Sequence, residues 1–423
     1  MKNHLCIDIM SPAGNYETLM AAIKARATSI YFGVGELNMR ARTSGFKISD
    51  LPKITKICSK NNVKSYLCVN TVLYDEDLKK MKEICDAAKN NKVSAVIVTD
   101  VSVMEYCHKI GLEVHISTQA NVSNIEAVKF YSKYADVIVL ARELDLNQIK
   151  YICDEIKKQK IKGPSGNLVK IEIFIHGALC VSISGKCYMS LAVYNESANK
   201  GMCLQNCRRS YRVIDEETGD ELKVDNKFIM SPKDLCTIGI LDKILDSGAS
   251  VLKIEGRARP AEYVYTVTKV YREAVDAYFS KNYTQDKINS WIKQLESVFN
   301  RGFWHGGYYL GDKLGEWAGV YGSRATKEKT FVGIAKHYFP KTKIGEFLIQ
   351  SHNLSVGDEI IITGNKTGII QTKIKSIFLS STNNPVKTAH QGEMVTIPIE
   401  EKVRENDKLY VVKEKTAPTK NKL

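Results

Sequence analysis

The chain has 423 residues, 44% apolar and 26% charged, the balance of a soluble globular protein large enough to bury its core without disulfides. Its formal net charge of +14 favours polyanionic partners, nucleic acid first, with a lysine-rich background composition as the alternative source of that charge. The N-terminal apolar run is short and broken by Asp8, unlike a signal peptide, and no apolar stretch approaches the roughly 18 residues of a membrane span, so a cytoplasmic protein without a membrane partner is expected.

In chain order, short apolar runs end at polar or turn-like groups. Leu5–Met10 leads into Ser11-Pro12-Ala13-Gly14, Thr28–Phe32 into Gly33, Val63–Val69 into Asn70-Thr71, and Ala95–Val98 into Thr99-Asp100. Glu113–Ile116 then leads into Ser117-Thr118-Gln119-Ala120-Asn121, Val137–Leu140 into Ala141-Arg142-Glu143, Ile171–Ile175 into His176-Gly177, and Val251–Ile254 into Glu255-Gly256-Arg257. These are eight expected strands with helical patterns between most of them, which implies a parallel sheet. Eight such strands predict an α/β fold of the TIM-like (β/α)8 barrel type, with an open doubly wound sheet as the structural alternative. A barrel of this kind places its chemistry at the C-terminal strand ends.

Strands seven and eight are separated by a long connection, roughly residues 177–249, which is expected to be functional at that length. Later, Lys287–Phe299 reads as a helix, and Arg301–Tyr309 is an aromatic and glycine-rich segment. Short alternating strands from Thr330 to Val412 predict a small C-terminal β-barrel domain. The expected division is a barrel over 1–285, a helical and aromatic linker over 286–329, the β domain over 330–412 and a basic disordered tail over 413–423.

The chain has eleven cysteines, and four of them, Cys180, Cys187, Cys203 and Cys207, lie in the long connection. Their spacing matches neither zinc knuckles nor the tight runs of bacterial ferredoxins. Four thiolates that converge in space can still close a tetrahedral metal site or hold a four-iron cluster, and four unrelated buried thiols are the plain alternative. Gly177, Gly185 and Gly201 suit tight bends around such a site. Arg208 and Arg209 follow the last cysteine and can balance its negative charge. The remaining cysteines read as small core residues.

The segment from Glu172 through His176-Gly177 and Cys180 to Cys187 and Ser190 resembles the signature of the collagenase-like peptidase family, family U32. Further matches are Ser11–Gly14, Asn38–Arg42, Ser117–Asn121, Arg142–Leu144, Lys253–Arg257 and Asn199–Arg208. Together they run from residue 8 to about 272. Within the family the chain is most like the branch of prephenate-dependent tRNA hydroxylation proteins. The resemblance implies a [4Fe–4S] cluster on Cys180, Cys187, Cys203 and Cys207. It also implies C5-hydroxylation of a tRNA wobble uridine, with prephenate as co-substrate. The chain departs from that branch at Met230-Ser231-Pro232 and in a shorter loop over 212–227, which bears on the RNA target. Hydroxylation of 23S rRNA cytidine, a collagenase-like hydrolase, and a non-enzymatic RNA-binding factor are the other readings.

A mouth that holds a dicarboxylate such as prephenate needs cations, ideally arginine for bidentate pairing. Arg40, Arg42, Arg142, Lys253 and Arg257 stand at expected strand ends, each with a local salt bridge as its plainer role. Asn70, Gln119 and Asn121 are placed to read a base edge or a carboxylate, or to satisfy loop backbone. His176 is expected either to shuttle a proton or to orient the cysteine loop, and Glu255 either to act as a general base or to hold Arg257. Neither an H-E-x-x-H motif nor a G-x-S-x-G elbow supports hydrolysis.

Overall fold

The structure, a computed structural model, describes residues 7–43, 45–222, 228–312, 316–320 and 322–415. Seven strands, β1 (Asp8–Pro12), β2 (Ser29–Phe32), β3 (Lys64–Val69), β4 (Ala95–Val98), β5 (Val114–Ile116), β6 (Val137–Val139) and β7 (Lys170–Gly177), pair in parallel in that order. A closing strand, Val251–Ile254, pairs in parallel with β7 on one side and β1 on the other, so the sheet shuts into a barrel. Helices α1 (Tyr16–Lys24), α2 (Leu51–Lys60), α3 (Leu78–Asn90), α4 (Val101–Ile110), α5 (Ile125–Tyr131) and α6 (Leu146–Lys158) alternate with the first seven strands.

The helices start where short polar side chains cap free backbone donors: Asn15, Asp100, Asn124 and Asp145 each accept a backbone N–H of the first turn. On α6, Ile149, Ile152, Cys153 and Ile156 form the buried stripe that a helical period of about 3.6 requires. Inside the barrel, Met10, Tyr31, Tyr66, Cys68, Ile97 and Val137 form a packed interior. Of the expected first strand Leu5–Met10, Leu5 and Cys6 lie outside the described residues, and the strand is seen from Asp8. It carries through Ser11 and Pro12, which pair with Ile30 and Tyr31. Pro12 is its last residue, where a missing N–H costs the ladder least.

The connection between β7 and the closing strand contains helix α7 (Met189–Tyr194), a small hairpin pairing Val213–Ile214 with Glu221–Leu222, and helix α8 (Leu241–Asp246). It also supplies Asp234–Cys236, which pairs antiparallel to the end of β7 and parallel to Phe303–His305. The aromatic segment read as a linker therefore extends the barrel sheet. After α9 (Ala261–Phe279), helix α10 spans Gln285–Glu296, starting and ending slightly earlier than the sequence pattern.

The C-terminal region is an eight-stranded antiparallel sheet, from Lys327–Phe339 to Lys408–Glu414, around a core that includes Val332, Phe347, Ile362, Val395 and Leu409. It docks on the barrel's helix layer, where Ile361 and Ile369 meet Ala21 of α1 and Ala261 of α9. Lys24 Nζ donates to the Ile369 carbonyl at 2.6 Å. The last strand continues to Glu414, inside the segment expected to be a disordered tail; the end of that segment, 416–423, lies outside the described residues. Among the described residues no helix is long and apolar enough to cross a membrane.

Candidate active site at the cysteine-rich barrel mouth

The C-terminal strand ends and the long connection enclose a cavity of about 250 Å³. Cys180, Cys187, Cys203 and Cys207 all line it, together with Arg40, Asn70, Gln119, Arg142, Lys253, Glu255 and Arg257 from the strand ends. Eleven residues singled out in the sequence thus meet in one space. Among the described residues seven cationic side chains line it against a single carboxylate, that of Glu255.

The connection reaches the mouth through glycines with left-handed backbones, Gly177 at φ 109°, Gly185 at φ 83° and Gly201 at φ 82°. At Gly201 a Cβ would lie 2.2 Å from the Asn38 carbonyl, so the loop lies against the β2 side of the mouth only because no side chain intervenes. Asn70 and Gln119 anchor the other side. The Asn70 amide donates to Gln119 Oε1 at 3.1 Å, and the Gln119 amide donates to Ser184 Oγ at 3.2 Å in the first cysteine loop. Arg208 ties the two cysteine pairs together. Its guanidinium donates to the carbonyl of Leu179, next to Cys180, and to Ser231 Oγ at 3.1 Å and the Pro232 carbonyl at 2.9 Å.

Burial pushes the Cys207 thiol up, the neighbouring Cys180, Cys203 and Cys187 push it further, and Arg208 opposes them, so the four thiols act on one another. A tetrahedral zinc ion with bonds of about 2.3 Å would draw its sulfur ligands to within about 4 Å of each other. Among the described residues no three Cys, His, Asp or Glu side chains are set for a single ion. The four thiols are partly exposed and line one shared cavity, a donor set of the kind that holds a metal or an iron–sulfur cluster.

The cations are only partly neutralised. Arg40 pairs with Glu255 at 3.1 Å, and Lys253 pairs with the fully buried Glu172 at 2.7 Å. Arg301 pairs with Asp234 at 3.2 Å. Arg142 lies 3.9 Å from the Phe174 ring centroid, donates to the Ala178 carbonyl at 3.1 Å, and keeps a buried Nε without a partner among the described residues. Arg257 donates to Asn38 Oδ1 at 3.0 Å, and Arg259 lies 3.5 Å over the Phe299 ring; among the described residues none of these three forms an ion pair. Burial pushes Glu255 up, but Arg40, Arg259 and Arg142 outweigh it and hold its carboxyl below the usual range. Glu255 is therefore a fixed anion that orients Arg40, not Arg257.

Three expected residues stand elsewhere. His176 does not line the cavity. It is buried among Tyr263, Tyr271 and Phe303, and desolvation lowers its pKa to about 3, so it is neutral. Arg42 is exposed outside the cavity, and Asn121 faces a separate small pocket beside Arg142, Glu143 and Cys180. Tyr31, Phe174 and Arg259 line the cavity without having been singled out. Period-two alternation on β2 and β7 was the available signal for the two rings. Proximity to Arg257 on the same turn was the signal for Arg259.

The family profile described as Peptidase family U32 matches residues 14–319. A protein named collagenase from Porphyromonas gingivalis is 52% identical over 404 residues, 95% of this chain and 97% of its own length. The tRNA hydroxylation protein P1 of Bacillus subtilis is 29% identical over 410 residues, 94% of this chain and 92% of its own. The 23S rRNA 5-hydroxycytidine C2501 synthase of Escherichia coli is 31% identical over 303 residues, 70% of this chain and 44% of its own.

Proposed function

Because the chain belongs to peptidase family U32, whose members here include both a named collagenase and named RNA hydroxylation proteins, we propose that it is an RNA-modifying enzyme that hydroxylates tRNA wobble uridine at C5. The observation that carries this reading is the convergence, among the described residues, of four thiols and seven cations on one cavity with a single carboxylate. Cys180, Cys187, Cys203 and Cys207 would hold a [4Fe–4S] cluster, which when bound supplies one-electron transfer beside the cavity. Arg142, Arg257 and Arg259 are the cations available to a small dicarboxylate, for which prephenate is the proposed co-substrate. Phe174 backs Arg142 and fixes the plane of its guanidinium. Glu255 stays ionised and holds Arg40 in place. Gln119, tied to both Asn70 and Ser184, presents a fixed amide at the cavity wall.

A cysteine peptidase reading would pair Cys180 with His176, but His176 packs in the wall behind the cavity and the ring contact lies with tyrosines and a phenylalanine. The test is nucleoside mass spectrometry of a deletion strain. Loss of C5-hydroxylated uridine from tRNA supports the proposal, and loss of hydroxycytidine from rRNA moves the target to the ribosome. Unchanged nucleosides together with gelatin cleavage by the pure protein would return the chain to the peptidases.

A further inference from the structure

The connection that carries the four cysteines is unusual on its outer side as well. Of the sixteen large apolar side chains most exposed among the described residues, six lie in it: Ile183, Tyr188, Val193, Tyr194, Val213 and Ile214. Apolar exposure concentrated in one segment marks a contact surface. Tyr188 is the most exposed of all at 72%, and it directly follows Cys187, a cavity-lining residue. Tyr194 ends α7, and Arg209, two residues beyond Cys207, donates to its hydroxyl at 2.5 Å with the guanidinium 5.3 Å from the ring centroid. That contact fixes one ring before any ligand arrives. Lys186 and Arg209 are exposed, and neither meets a carboxylate among the described residues.

Exposed tyrosines beside unpaired cations form the surface that stacks unpaired bases and meets their phosphates. A folded protein partner would be matched by a continuous apolar face, whereas here the Arg209 guanidinium lies against the Tyr194 ring and the exposed Lys186 stands two residues before Tyr188. We propose that Tyr188 and Tyr194, with Lys186 and Arg209, form a stacking platform that grips the unpaired nucleotides flanking the base presented to the cavity. This deepens the RNA-modification reading and rests on it. A platform of this kind selects loops over duplexes without reading sequence, because every base has a ring face but only unstacked bases expose it.

The experiment measures binding of the full chain to a labelled RNA stem-loop and to a blunt duplex of equal length by fluorescence anisotropy over a salt series. Tyr188→Ala and Tyr194→Ala are expected to weaken stem-loop binding by about five- to a hundredfold each and to leave duplex binding unchanged. Tyr188→Phe, which keeps the ring, should bind as wild type does. Arg209→Gln should weaken both RNAs and lower the salt slope by about one. Tyr151→Ala, which removes a comparably exposed tyrosine on α6, is the control. If the wild type binds the stem-loop and the tyrosine variants bind it equally well, the platform is wrong and the RNA reading stands. Equal loss on stem-loop and duplex also overturns stacking, and wild-type protein that binds neither RNA overturns the platform and the RNA reading together.

Discussion

Lys253 Nζ lies 2.7 Å from Glu172 Oε1 in the barrel interior, with Lys253 on the closing strand and Glu172 on β7 beside it. Both side chains are buried, and the second Glu172 oxygen has no hydrogen-bond partner among the described residues. The pair also places the ammonium 4.7 Å from the Tyr31 ring centroid at the cavity floor.

Breaking such a pair leaves an uncompensated buried charge. Glu172→Ala should therefore cost roughly 3–5 kcal/mol of stability. The double change Glu172→Leu with Lys253→Met should recover most of that loss while leaving the enzyme inactive, because the cavity has lost a cation. Urea unfolding of both variants checks the first statement and tRNA hydroxylation checks the second.

Anaerobically purified protein should contain about four irons per chain. Cys180→Ala, Cys187→Ala, Cys203→Ala and Cys207→Ala should each lose most of that iron. Cys58→Ala and Cys153→Ala, which change thiols buried under α2 and α6, should keep it. Stoichiometric zinc without iron would contradict the assignment, and iron analysis with visible absorbance decides it.

Arg208→Lys keeps the charge but cannot reproduce the fork that reaches Leu179, Ser231 and Pro232 at once. The variant should fold, load iron, and lose it in air faster than wild type. An unchanged rate of bleaching would show that the tie between the two cysteine pairs is not needed to retain the metal.

Arg142→Gln should weaken binding of the dicarboxylate by about 10- to 150-fold, the value of a charge-assisted hydrogen bond of roughly 1.5–3 kcal/mol. Arg42→Gln, outside the cavity, should not. Calorimetric titration with prephenate compares the two.

His176 is neutral in the fold, with a pKa lowered to about 3 from its ordinary 6.5 by burial. Between those values the unfolded chain binds a proton that the folded chain does not. The contribution of His176 is thus fully present above its ordinary pKa and declines as pH falls, with a slope approaching about 1.4 kcal/mol per pH unit. His176→Phe should flatten this part of the profile, measured as urea midpoints between about pH 6.5 and about pH 4.5.

The barrel was legible because each strand is a short β-branched run that stops at a polar group, and because its helices carry caps and apolar stripes at regular spacing. Most strand-end cations were legible for the same reason, since a strand end in a closed barrel points to one mouth, and the four cysteines were legible by their density in one long connection. His176 shows where the pattern fails. Lys253 pairs with Phe174, yet Ile254 pairs with His176, so one extra residue is accommodated between them. That bulge takes the imidazole off the cavity side and sets it against Tyr263 and Tyr271 of α9. A one-residue slip reverses the face of a side chain, and the sequence carries no mark of it. The strand Phe303–His305 was hidden in a similar way: three residues among glycines show no period, and only pairing with Asp234–Cys236 defines them.

The closing strand also sets an order of events during synthesis. Val251–Ile254 follows the cysteine segment in the chain, so β1 and β7 keep unpaired edges until all four thiols have left the ribosome. The four cysteines are thus made while the sheet is still half-open, before the floor on which the cavity rests has been completed.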